Sequence, residues 1–195
     1  MKVGVIGVQG AVNEHIEATK KAMERLNISG EVFWLKKAEQ LKNIDALIIP
    51  GGESTTISRL MIKNNLLDKV KDLGESGLPI MGTCAGLILL AKQIEGAVRD
   101  QRFLELLDVR VSRNAYGRQV DSFEALLKLT FDAEPFLGVF IRAPRIIEIF
   151  GKANPIAYYK DEVVGVEQGN IVGLAFHPEL TDDTRLHEYF LKNAF

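Results

Sequence analysis

Leu78-Pro-Ile-Met-Gly-Thr-Cys-Ala-Gly-Leu-Ile-Leu-Leu90 begins as an apolar run, passes through the small residues of Gly82-Thr-Cys-Ala-Gly86, and continues as an apolar helical pattern. A buried strand that turns sharply into a helix is the repeating unit of a parallel α/β sheet. Earlier residues keep the same rhythm, with apolar runs at Lys2–Ile6, Glu31–Leu35, Ala46–Ile49 and Pro79–Met81 and a helical pattern over Val12–Leu26. Within that helix Val12, Ile16, Thr19, Met23 and Leu26 recur at spacings of three or four, which predicts one buried face. Glu14, Lys20, Lys21 and Glu24 fall on the solvent side.

After Gln101 the pattern changes to strand-like runs in close succession: Val109–Ser112, Phe123–Thr130, Gly138–Ile141 and Ile146–Phe150. A hairpin is expected from Val163 to Phe176, turning near Gly169-Asn170. A final helix spans about Thr184 to Lys192, with Asp182 or Asp183 able to cap its exposed N–H groups. The expected fold class is therefore α/β, a parallel core with added antiparallel strands, in one domain spanning residues 1–195.

The composition suits a globular chain with a sizeable core, since 47% of its 195 residues are hydrophobic and 26% charged. With 24 Lys+Arg against 26 Asp+Glu the formal net charge is −2, and no run of like charges marks a nucleic-acid groove or an anionic membrane surface. The N-terminal MKVGVIG is too short for a signal peptide's apolar region, and no stretch is long enough to span a bilayer, so a cytoplasmic location is expected. Cys84 is the single cysteine, which excludes an intrachain disulfide.

A strand running into Gly-Thr-Cys-Ala-Gly and then a helix has the form of a nucleophile elbow with cysteine in place of serine. Small neighbours matter because the turn holds the nucleophile in a strained conformation that bulky residues would obstruct. The elbow lifts the sulfur of Cys84 clear of the sheet and sets it at a helix N-terminus, where the helix dipole favours a thiolate. The same turn aims the Ala85 N–H at a developing oxyanion. A lone cysteine is otherwise most often a small buried hydrophobe.

A reactive thiol needs a base, and the histidines are His15, His177 and His187. His15 and His187 lie within helical patterns and are expected to be solvated or half-buried structural residues. His177 instead ends the apolar run Ile171–Phe176, where α/β enzymes gather catalytic groups, and opens His177-Pro178-Glu179. In an extended segment alternate side chains share a face, so Glu179 can approach the His177 ring and fix its tautomer. Alone, such a pair is most simply a structural contact. Paired with the elbow it becomes a candidate base and its orienting carboxylate.

The third constellation, Pro50-Gly-Gly-Glu-Ser-Thr-Thr56, follows the run Ala46–Ile49. Its glycines let a ligand approach backbone N–H groups, and Ser54 or Thr55 is expected to cap the next helix. The loop suits an anion site or a second oxyanion donor, or simply a strand-to-helix connection, and lacks the Gly-Lys-Ser/Thr of a phosphate loop. Arg113 and Arg142 stand at or near the ends of strand-like runs, where a guanidinium could clamp a carboxylate.

Gly82-Thr-Cys-Ala-Gly86 with the distant His177-Pro-Glu179 resembles the class I, or triad, glutamine amidotransferases. Gly7-Val-Gln-Gly-Ala-Val12, Pro50-Gly-Gly-Glu-Ser-Thr55, Arg113-Asn-Ala-Tyr-Gly-Arg-Gln-Val-Asp-Ser-Phe123 and Phe140-Ile-Arg-Ala-Pro144 narrow the likeness. Together with Phe176-His-Pro-Glu-Leu-Thr181, Arg185 and His187, they are similar to the glutaminase subunits of pyridoxal 5′-phosphate synthases over nearly the whole chain.

The resemblance implies an open, mostly parallel, flavodoxin-like sheet with helices on both faces. It implies a Cys84 nucleophile, a His177 base and acid, and Glu179 as its partner. Contacts to L-glutamine would fall on Gly51, Gly52, Glu53, Arg113, Ile141 and Arg142, with Gly52 and Ala85 as oxyanion donors. It also implies a separate synthase subunit as partner. Pyridoxal 5′-phosphate would be the product of the pathway and not a cofactor of this chain, and the sparse histidines suggest no metal. Related elbow-cysteine hydrolases and a non-catalytic regulatory subunit of the same fold are the alternative readings.

Overall fold

The computed structural model describes residues 1–113 and 122–194. In chain order the elements are β1 (Lys2–Ile6), α1 (Val12–Arg25), β2 (Glu31–Leu35), β3 (Ala46–Ile49), α2 (Ser54–Lys63), α3 (Leu67–Glu75), β4 (Ile80–Thr83) and α4 (Ala85–Leu90). There follow β5 (Ala91–Glu95), β6 (Leu107–Ser112), β7 (Ser122–Leu129), β8 (Phe136–Ile141), β9 (Arg145–Ile149), β10 (Asn154–Tyr159), β11 (Glu162–Gln168), β12 (Ile171–Leu174) and α5 (Arg185–Lys192).

Nine strands form one sheet in the order β2-β1-β3-β4-β12-β11-β10-β7-β8. It is parallel from β2 to β12 and antiparallel from β12 to β8. Burial follows the change. β3 (ALII), β4 (IMGT) and β12 (IVGL) are buried at every position, as expected of parallel strands covered on both faces. β8 instead alternates between buried and more exposed residues, and β7 between exposed and less exposed ones, the period of a sheet with one wet face. The hairpin β11–β12 turns at Gly169-Asn170, with Gln168 paired to Ile171.

From β1 the chain crosses to β2 on one side, and from β3 it crosses to β4 on the other. Right-handed crossovers therefore place α1 on one face and α2–α3 on the opposite one. α1 packs against α5, while α2 packs against α3 and α4. Because the strand order reverses between β1 and β3, the loops that follow them part and leave a crevice at the C-terminal ends of the strands.

Two strands escaped the sequence reading. β5 continues directly from α4 with no breaker between them, and β10 carries Pro155, which removes a ladder donor and accompanies a register shift. A second sheet, β5-β6-β9, collects strands whose pairing no local pattern announces. Helix α5 is capped from outside, with the Arg185 N–H donating to Asp183 Oδ1 at 3.1 Å, while Asp182 pairs with Lys21 at 3.1 Å. No helix among the described residues is long and apolar enough to cross a membrane.

Candidate active site

Cys84 joins β4 to α4 with φ 49° and ψ −101°, a left-handed backbone that a non-glycine residue adopts only under constraint. The constraint is visible: the Cys84 N–H donates to the Leu174 carbonyl at 2.8 Å, tying the turn to the end of β12. Two residues beyond Ala175, the His177 N–H donates to Val139 in β8 at 2.8 Å. Adjacent parallel strands thus deliver the thiol and the imidazole to the same end of the sheet.

His177 Nδ1 and Glu179 Oε1 are 2.7 Å apart, and the carboxylate is fully buried. Burial disfavours the charged imidazole, but contacts with Cys84 and Glu179 outweigh it and raise the His177 pKa to about 10. The sulfur is near without being aligned. Cys84 Sγ–H is directed at the Ile141 carbonyl 3.8 Å away, and His177 Nε2 is buried with no hydrogen-bond partner among the described residues.

The loop after β3 closes the crevice. A Cβ on Gly51 would collide with the His177 ring and crowd Cys84, so only glycine allows this approach. The Gly51 carbonyl accepts from the Ala11 N–H at 3.2 Å, and since the peptide is trans, the Gly52 N–H points away from that loop. Gly10 stands against the same carbonyl at φ 110°, a second position where a side chain would be both strained and obstructed. Gln9 Oε1 accepts from the Glu53 N–H at 2.9 Å and pins the loop from the β1 side.

The expectation that Ser54 or Thr55 caps α2 is corrected. Ser54 is already the first helical residue, and the extended Glu53 is the cap, accepting from the N–H groups of Thr55 at 3.1 Å and Thr56 at 2.7 Å. Both threonine hydroxyls also donate to it. Desolvation opposes its ionisation, but these bonds win and lower the Glu53 pKa to about 2.

A cavity of about 280 Å³ brings Cys84 and His177 together with Gly52, Glu53, Arg113, Ile141 and Arg142. Gly51 lies behind the ring, and Ala85 is buried at the first position of α4. Arg113 donates to Gln101 Oε1 at 3.1 Å and lies 3.6 Å from Glu53, while Arg142 follows β8 with φ 42°. Residues 114–121 of the segment Arg113–Phe123 lie outside the described residues.

His15 and His187 are a second correction, because both are fully buried. His15 Nδ1 is 3.1 Å from His187 Nε2, and His15 Nε2 is 2.9 Å from Thr83 Oγ1 and 3.3 Å from Glu179 Oε2. A signal for this existed: His15 lies three residues from Val12 and four from Thr19 on the buried face of α1, and His187 stands three residues before Phe190 on that of α5. Among the described residues no group of His, Cys, Asp and Glu is arranged to hold a metal ion.

The model of the SNO glutamine amidotransferase family matches residues 5–195. The chain belongs to this family. It is 75% identical over 195 residues to the pyridoxal 5′-phosphate synthase subunit PdxT of Thermococcus onnurineus, covering 100% of this chain and 99% of that one. To the PdxT subunit of Thermococcus kodakarensis it is 69% identical with the same coverage. A crystal structure of a glutamine amidotransferase superposes with a TM-score of 0.88 at 44% identity, covering 98% of both chains.

Proposed function

We propose that this chain, as one glutaminase domain over residues 1–195, hydrolyses L-glutamine to L-glutamate and ammonia and delivers the ammonia to a synthase subunit that makes pyridoxal 5′-phosphate. Full-length likeness to PdxT subunits supports the pathway. One observation carries the chemistry: Cys84, in its left-handed turn, shares a cavity with a histidine held at 2.7 Å by a buried carboxylate.

In this reading the Cys84 thiol gives its proton to His177 Nε2 as the sulfur attacks the glutamine side-chain carbonyl, and the oxyanion is met by the N–H groups of Gly52 and Ala85. Collapse breaks the C–N bond as His177 gives its proton to the departing ammonia, leaving a γ-glutamyl thioester. Water then attacks, His177 takes its proton, and glutamate leaves as the sulfur is regenerated. Glu179 stabilises the imidazolium throughout. Gly51, Gly52, Glu53, Ile141 and the guanidiniums of Arg113 and Arg142 hold the substrate, the arginines at its α-carboxylate. No cofactor or metal enters the reaction, and the chain works in the cytoplasm.

The thiol directed at Ile141 and a His177 Nε2 with no aligned partner among the described residues favour an enzyme that idles until its partner docks. Docking at the Val8–Ala11 loop reaches the Gly51–Gly52 peptide through the bond from Ala11 and the clamp of Gln9. Ammonia release is therefore expected to be weak from the isolated chain and clearly stimulated by the synthase subunit. Replacing Gln9 or Gly10 by a bulky charged residue removes the stimulation. Full activity alone, unchanged on adding the synthase, returns the elbow-cysteine hydrolase alternative. Failure of a glutamine-derived electrophile to label Cys84 points to the non-catalytic one.

A further inference from the structure

The proposed reaction uses Oε1 of Glu179 and leaves Oε2 unexplained. That atom is fully buried, accepts no aligned hydrogen bond among the described residues, and lies 3.3 Å from the Nε2 of His15. Behind it is a chain of groups from three elements: Thr83 at the end of β4, His15 on α1 and His187 on α5, all with no solvent exposure. A buried carboxylate oxygen without a donor is costly, and so are buried imidazole nitrogens left unpaired.

The contacts select one arrangement of protons. If His15 carried its proton on Nδ1, its bare Nε2 would face a carboxylate oxygen, and His187 would be left with a buried, unpartnered Nδ1–H. In the opposite arrangement His187 Nε2–H donates to His15 Nδ1 over 3.1 Å, and His15 Nε2–H donates to Thr83 Oγ1 at 2.9 Å while facing Glu179 Oε2. Among the described residues two acceptors of this cluster then lack an aligned bond, the bare Nδ1 of His187 and the Glu179 Oε2 that the His15 N–H faces, and an orphaned acceptor is tolerated better than an orphaned N–H. Burial keeps both imidazoles neutral, lowering His15 and driving His187 down to about 3. The chain thus offers a directed N–H without adding a second buried cation.

We propose that His15, its tautomer set by His187 and by the carboxylate it faces, is a positioning residue that holds an N–H beside Oε2 of Glu179 and so keeps Oε1 turned to His177. This rests on the proposed role of Glu179 as partner of His177. The charged and titratable groups acting on this site are His15 and Glu14 from α1, His187 from α5, His177 and Cys84. Removing the His15 N–H leaves the Glu179 carboxylate with less to oppose its desolvation, so it takes up a proton at higher pH.

The test compares kcat, glutamine KM and the pH dependence of kcat for the parent, His15→Leu and His15→Gln in the complex with the synthase subunit. Leucine fills space without a donor; the glutamine amide places an N–H near the position of Nε2. The expected result for His15→Leu is a loss in kcat of about 10–100-fold, the scale on which outer-shell groups that orient metal-bound histidines act, with KM nearly unchanged. Its acid limb moves to higher pH, and His15→Gln restores much of both. If His15→Leu does not fold, His187→Leu carries the test: it frees the His15 tautomer and moves the acid limb the same way. Folded variants with the parent's kcat and acid limb, or a glutamine variant no better than leucine, overturn the proposal. Failure of the underlying reading is distinguishable, because Glu179→Gln would then also leave the rate unchanged.

Discussion

The carboxylate of Glu179 lies between two imidazoles, and the two sides of it behave oppositely. On the cavity side His177 is raised to about 10, while on the interior side His15 is lowered, although both face the same acid. Nor does exposure separate them, at 6% for His177 and 0% for His15. Burial pushes both down. On His177 the nearby sulfur and Glu179 outweigh it; on His15 the attraction of Glu179 is offset by the charge on His177. One buried negative charge supports one buried cation, and the second ring stays neutral and serves as a donor.

The largest expected effect removes what distinguishes the cavity side. Cys84→Ala should lower ammonia release at least about 10³-fold, as losing a covalent nucleophile does, while circular dichroism and Tm stay near the parent's. An NMR titration of His177 in that variant should show its pKa falling from about 10. Appreciable glutamine hydrolysis by Cys84→Ala ends the thioester mechanism.

Removing the shared carboxylate comes next. Glu179→Gln keeps a polar contact to His177 but no charge, and kcat should drop by about 10²–10⁴-fold. A parent-like rate and pH profile would take Glu179 out of the mechanism and dissolve the comparison. A smaller effect belongs to the cavity alone: Arg113→Ala or Arg142→Ala should raise the glutamine KM by about 10–100-fold, corresponding to roughly 1.5–3 kcal/mol for a charge-assisted contact. Lysine should restore only part of it. Equal kinetics in parent and variants would place the α-carboxylate elsewhere.

The mildest effect is on stability, and its sign differs across the carboxylate. His187 binds a proton at 6.5 when unfolded but only near 3 when folded, so between these values the unfolded chain holds more protons and stability falls with falling pH. His177 is the reverse: its contribution is complete below 6.5 and is lost as pH rises through about 10. His187→Leu should therefore flatten the acid-side decline in Tm while leaving the alkaline side alone. A Tm profile identical to the parent's would show that His187 does not titrate in this way.

The sequence by itself determined the elements that local chemistry dictates. Short apolar runs became the parallel strands β3, β4 and β12, the strand-like runs after Gln101 became β6, β7, β8 and β9, and Gly169-Asn170 turned the hairpin. The turn at Cys84 was legible because an elbow needs small neighbours on both sides, and the contact of His177 with Glu179 because alternate residues share a face. Only the tertiary structure decided what depends on distant partners. Glu53 displaced Ser54 and Thr55 as the cap because its backbone is extended where the helix begins. β5, β6 and β9 met in a second sheet through pairings with no local signature. His15 and His187, which are 172 residues apart, became one buried pair because α1 and α5 pack together on the same face of the sheet. Helical period marks which side of a helix is inward, but it carries no information about which polar group from another element waits there.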